Sequence, residues 1–173
     1  MYYLRFELNL LLVVYPMIFR IFILLWGFIF LLPINPLFAS LDYGKQSLIG
    51  SDFSNNDLRG ATFYLTDLQN ADFSGSNLEG ASLFGAKLEN ANLTNSNLRD
   101  VTLDSAVLDG TDLTNSVLED AFAFNARFKD VIIRGADFTN VPFSKNQISL
   151  LCETAEGVNP ITNRNTRDTL GCD

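Results

Sequence analysis

A chain of 173 residues, 47 % of them apolar, is long enough to bury one packed core, and its formal charge of −8 disfavours partners that present phosphate. Histidine is absent, which removes the commonest general acid/base and the commonest metal ligand. The only cysteines, Cys152 and Cys172, fall within the last 22 residues, so no catalytic, cofactor or metal site is expected.

Residues 1–39 read as a signal peptide. The apolar run IFILLWGFIFLL at 21–32 follows Arg20 and is followed by PINPLFAS, whose Ala39 and Ser40 are small enough for processing after Ala39. Twelve residues are too few to span a bilayer, while LNLLLVVYPMIF at 8–19 lengthens the apolar zone, so a cleaved leader and an uncleaved anchor both fit the residues. Contact with membrane is expected only through this segment, before cleavage. Met17 would open the chain with MIFR, a short basic region directly before the apolar run, and is the start that this layout favours. No cysteine follows the run and no arginine pair precedes it, which points to general secretion. The leader is +1 through Arg5, Glu7 and Arg20, so the −8 of the whole chain leaves −9 on the remainder.

After a short N-terminal cap segment at 40–45, Leu, Phe or Ile recurs at every fifth residue from 46 to 150. Five fits neither regular element: on a helix each step turns about 140° and spreads the apolar residues over the whole surface, and on a flat strand an odd step alternates faces. A backbone that turns once per pentad solves this. If four pentads close a square coil, every third-position side chain points to one axis, and the stretch makes about five coils. Leu58, Leu78, Leu98, Leu118 and Phe138 then form one core stack. First positions are mostly small, as at Ala71, Ala81 and Ala91, and fifth positions are often Gly, Asn or Asp, which tolerate corner conformations.

The pattern A-(D/N)-L-x-x, seen as ADFSG, ANLTN and ADFTN, resembles the pentapeptide-repeat family over about 60 % of the chain. The resemblance implies an all-β, right-handed quadrilateral β-helix; the handedness comes from the family alone. One pentad, AFAFN, departs from the rule by placing Ala123 in the core between two Phe. Either a cavity or a backbone shift is expected there, in the least regular coil.

Twenty-residue stacking sorts the outward side chains into columns. Arg59, Glu79, Arg99 and Glu119 alternate in sign, which predicts a charge ladder. Asp52 and Asp72 would repel unless hydrogen-bonded at the corners or screened by a cation such as calcium. A third column carries Tyr64, Phe84, Asp104 and Phe124, with Leu65 and Phe122 beside it. Exposed aromatics in line are the candidate face for a protein partner.

At the C-terminal end, Ser144 as N-cap, apolar residues at helical spacing and Gly157 as a stop predict a short helix over about 145–155. A cap at 151–173 then brings Cys172 near Cys152, and in an exported protein the two are expected to be disulfide-bonded. LDYGKQSLIGSDFSN and LCETAEGVNPITNRNTRDTLGC also resemble the flanks of thylakoid-lumen pentapeptide-repeat proteins of chloroplasts and cyanobacteria. This implies the thylakoid lumen, with the periplasm as alternative, and the same disulfide-closed helical cap. No Arg- and Ser-rich transit peptide precedes the signal, so a cyanobacterial-type precursor fits best.

The expected function is a non-enzymatic exported scaffold or protein-interaction module, because a rod with a filled axis offers surfaces and not pockets. The alternative is DNA mimicry, since some acidic pentapeptide-repeat proteins bind DNA gyrase. Export and the sign-alternating column argue against it. No nucleic-acid partner is expected, and the residues name neither the protein partner nor an oligomeric state.

Overall fold

The computed structural model describes residues 41–172; the leader, the start at Met17 and the cleavage site lie outside them. Parallel backbone bridges join residues twenty apart in four columns, beginning with Asp42 to Thr62, Ser47 to Asp67, Asp52 to Asp72 and Asp57 to Asn77 and ending with Val117 to Asp137. The result is a β-helix whose rungs are single bridged residues separated by corners.

Pentad 71–75, ADFSG, shows why the pattern takes this form. Ala71 N–H closes the corner to Leu68 O (3.0 Å), Asp72 N–H reaches back to Ser51 O (2.9 Å), and Phe73 and Gly75 donate forward to Asn92 O and Thr94 O (2.7 and 2.9 Å). One donor is left, that of Ser74, and the Asp72 carboxylate accepts it at 2.8 Å. The same bond from the second-position side chain to the fourth-position N–H recurs at Asp52, Asn92, Asp112 and Asp137. A second-position Asp or Asn is therefore a backbone cap inside its own corner, the counterpart of a helix N-cap. Every fifth residue from Lys45 to Asn140 sits at φ between 53° and 70°. This left-handed region is why Gly, Asn and Asp crowd that position.

The axis is filled. Leu58, Leu78, Leu98, Leu118 and Phe138 are all buried, as the five-residue spacing predicts. Near the beginning of the coil the filling is aromatic: Tyr43 stacks on Phe63 (4.8 Å) and Phe53 on Phe73 (5.0 Å), with edge-to-face contacts between the two stacks. Inward hydroxyls at first positions are satisfied by carbonyls, as with Ser76 to Phe73 O and Ser96 to Leu93 O, both 2.7 Å.

Two boundaries of the repeat differ from the expectation, and the first helix ends at Cys152 rather than near 155. Residues 41–45 are the first pentad and not a separate cap, since Asp42 is bridged to Thr62, Tyr43 fills the core position and Lys45 takes the corner φ of 60°. The repeat stops at Asn140 and not at 150: Pro142 falls on a second position, where the chain needs an N–H to give to the preceding coil. Ser144 instead caps helix α1, Lys145–Cys152, through a capping box with Gln147, and α2, Thr166–Leu170, follows. At Ala123 the backbone holds its register, with Phe122 N–H on Val101 O at 2.9 Å, Ala123 buried and both phenylalanines outside. At the next position of its column the Phe143 ring meets Phe128 and Phe138 edge-on at 5.3 and 5.7 Å. The irregular corner comes one pentad later, at 128–131.

Asp112→Ala, which removes the acceptor of Thr114 N–H, is expected to cost about 1 kcal/mol, while Asp112→Asn retains most of it; equal losses in thermal unfolding of the two variants would contradict the assignment.

Candidate interaction surfaces

With the axis filled, chemistry is confined to the outer faces and to the cap. On the aromatic face Tyr64 and Phe84 stack at 5.6 Å, and Lys45 Nζ lies 5.7 Å from the Tyr64 ring centroid. Leu65 holds a corner φ of 53°, unusual for a bulky side chain, and its Cδ2 would stand 2.6 Å from a Cβ added at Gly85. Gly85 thus lets Leu65 lie flat over the next rung. Tyr64, Leu65 and Phe84 form one strip. The next member of the column, Asp104, interrupts it by accepting Phe124 N–H at 2.7 Å. Phe122 and Phe124, 54 % and 70 % exposed, form a second patch beyond Asp104. The expected single face is therefore two patches in line, separated by one carboxylate.

The alternating column is only partly a ladder. Arg99 pairs with Glu119 at 3.3 Å. Arg59 instead turns to Asp57, which accepts two bonds at 2.8 and 2.7 Å. Residues two apart on a strand share a face, so Asp57 meets Arg59 without crossing to another coil. Glu79 accepts from Asn97 Nδ2 at 3.2 Å rather than from an arginine. Asp52 and Asp72 accept Ser54 and Ser74 N–H at 2.9 and 2.8 Å, which is the corner hydrogen bond. Among the described residues no group of three or more acidic or cysteine side chains is placed to hold a metal.

The cap is tied down by the expected disulfide and by polar residues that sequence patterning does not mark. Cys152 and Cys172 are bonded, with Cα atoms 5.7 Å apart, joining the end of α1 to the residue after the Gly171 terminus of α2. Asn159 is fully buried; its Nδ2 donates to Ser116 O and Gly135 O at 3.0 and 2.8 Å, and its Oδ1 accepts from Ile161 and Thr162 N–H. Gly157, at φ 86°, passes so close that a Cβ there would stand 3.0 Å from Gly135 N. Arg164 donates to Glu119 (2.7 Å), Asp137 (3.2 Å) and Thr139 (2.9 Å), so the cap supplies the next cation of the Arg99–Glu119 column. Burial pushes the Asp137 carboxyl up, but the hydroxyls of Thr139 and Thr162, the Thr139 N–H and the Arg164 charge together hold it below the usual carboxylate range.

A carboxyl depressed in the folded state contributes stability above its unfolded pKa of about 3.9, and that contribution is lost as pH falls through the lower folded value. The melting temperature should therefore drop more steeply below about pH 4 in the wild type than in Asp137→Asn; parallel pH profiles would remove Asp137 from the acid response.

Comparison with known proteins agrees with this geometry. A family model for pentapeptide repeats matches in eight copies over residues 47–83 and 81–120. Thylakoid lumenal 15 kDa protein 1, chloroplastic, of Arabidopsis thaliana is 52 % identical over 48 residues, 28 % of this chain, and the match spans only 21 % of that relative's length. The solved structure of a pentapeptide repeat protein from the Arabidopsis thaliana thylakoid lumen is similar at 43 % identity and a TM-score of 0.73, over 74 % of this chain and 89 % of that one. A pentapeptide repeat protein from Nostoc PCC 7120 is 29 % identical with a TM-score of 0.46, over 53 % and 83 % of the two chains.

Proposed function

The chain belongs to the pentapeptide-repeat family, and from that premise we propose that it is a right-handed quadrilateral β-helix of five coils serving as a non-enzymatic scaffold that presents its outer faces to a protein partner. It is an exported protein of the thylakoid lumen, the compartment of both Arabidopsis relatives. The observation that carries the scaffold reading is the filled axis: every third-position side chain from Phe63 to Ala123 is buried, so recognition falls to the surface.

The partner face is the column of Tyr64, Leu65 and Phe84 continued by Phe122 and Phe124. Flat, rigid aromatic surface presented from a β-ladder costs little ordering on binding and is the residue chemistry of interface centres. Gyrase mimicry is the weaker reading. A phosphate-like row needs unneutralised acids, whereas Asp67, Asp109 and Glu119 face Lys87, Arg127 and Arg99 across successive coils at 3.8, 2.8 and 3.3 Å.

The test is affinity isolation from thylakoid lumen and membranes with the wild type and with Phe84→Glu/Phe124→Glu. Both rings are exposed, so the variant should fold and melt normally, and recovery of the specific partner should fall about tenfold or more, as for a central aromatic anchor. Unchanged recovery would remove this face; inhibition of gyrase supercoiling by the wild type would favour mimicry instead.

A further inference from the structure

Between α1 and the last coil lies a cleft of about 360 Å³. Its walls are apolar, formed by Phe128 and Val131 on the coil and by Leu150 and Leu151 on the helix. Leu151 is buried, but Leu150 is 61 % exposed, an unusual placement for leucine on the inner side of a cap helix. Helix α1 leans on the coil through Gln147, whose Nε2 donates to Ala126 O at 3.0 Å, so the cleft lies beside a hydrogen-bonded strut.

The corner beneath the cleft is the one that breaks the rule. At other corners the first-position N–H donates to the third-position carbonyl of the pentad before, as with Ala126 to Ala123 O (3.2 Å) and Ala136 to Ile133 O (3.0 Å). Between Phe128 and Val131 no such bond forms, and the chain bends at Lys129 and Asp130 without the usual turn. Val131 lines the cleft, and its N–H lacks the corner bond that its counterparts make. A backbone N–H released from its corner bond is a donor that a bound acceptor can satisfy.

The charged residues lining the cleft are Arg127, Lys129, Asp130 and Glu153, so the sign of a ligand's head depends on which of them is left loosely paired. Arg127 is held by Asp109 at 2.8 Å. Lys129 meets only its chain neighbour Asp130, at 3.9 Å, with both side chains more than two-thirds exposed, a contact that an incoming anion can displace. Glu153 lies on the helix side of the rim, so an anionic head belongs at the corner side, by Lys129 and Val131.

We propose that this cleft binds a small amphiphilic carboxylate, with its apolar tail against Phe128, Val131 and Leu150 and its carboxylate at Lys129 and the Val131 N–H. The cleft is at the lower end of the size range of small-molecule sites, on the scale of a ten-carbon fatty acid. The site is distinct from the aromatic face and draws on none of its residues.

The experiment is calorimetric titration of the oxidised protein with decanoate and, separately, with decyltrimethylammonium at the same ionic strength, below their micelle concentrations. Decanoate should bind at one site, about tenfold more tightly than the cation, the difference a charge-assisted contact makes. Lys129→Ala should weaken decanoate by a similar factor, Lys129→Arg should restore it, and Leu150→Asp should abolish it, all without a change in melting temperature, because both side chains are exposed. Absence of saturable heat, equal affinity for the two amphiphiles, or wild-type affinity in Lys129→Ala and Leu150→Asp would each overturn the proposal.

Discussion

Each pentad has five backbone donors to place, and a corner that turns the chain leaves one of them without a main-chain acceptor. In ADFSG four donors go to carbonyls and the fifth to Asp72. That shortfall explains the second-position Asp or Asn more directly than solubility does, since an unpaired backbone N–H costs as much as a lost hydrogen bond. It also explains where the acid content comes from. Carboxylates at Asp52, Asp72, Asp112 and Asp137 are structural acceptors before they are surface charge. A chain read only by its charge would suggest a cation or a basic partner for them; the corner geometry has already engaged them.

The left-handed fifth position is the second half of the same constraint. It closes the turn at a φ that ordinary side chains resist, and the exceptions are informative. Leu65 accepts that conformation while laying its side chain over Gly85, which places apolar surface where Asn or Gly would give none. Together with the Tyr64 and Phe84 stack, this is the part of the outer surface that neither corner satisfaction nor coil stacking requires. Surface that the fold does not need is the best place to look for function, and the filled axis leaves no rival inside.

The repeat was legible because it is written in a period that only one backbone satisfies. Leu58 through Phe138 fall in the core as spacing demands, and Cys152 and Cys172 meet as an exported pair should. The ends were less legible, for two reasons. LDYGK does not look like a repeat, since Tyr stands for Leu and Lys for Gly, yet stacking on Phe63 and one more rung of hydrogen bonds outweigh the corner preference. Pro142 carried a readable stop signal, but apolar Phe143 and Ile148 kept the period of five alive past it. The charge column misled because a sequence lists which charges could meet across coils and not which nearer partner wins; Asp57, two residues away, takes Arg59. Asn159 left no signal at all. Its role depends on two coil carbonyls more than twenty residues away, which no local pattern encodes.

The cap shows how such a solenoid is terminated without a new core. In a stack where each coil touches only its neighbours, the last coil lacks half its partners, and stability there depends on what replaces the missing rung. Here the replacement is distributed: Asn159 donates to coil carbonyls, Glu156 O receives Gly135 N–H at 2.8 Å, Thr169 Oγ1 receives Phe138 N–H at 3.2 Å, and Arg164 extends the charged column. These bonds come from a segment with few apolar residues of its own, so the cap could not stay folded on burial alone. The disulfide closes that segment into a loop and restricts its unfolded freedom, a contribution of about 3 kcal/mol in the chain-entropy view. Polar docking and covalent closure thus do at the end of the rod what apolar stacking does along it. The corner at 128–131, where neither device reaches, is the place left open.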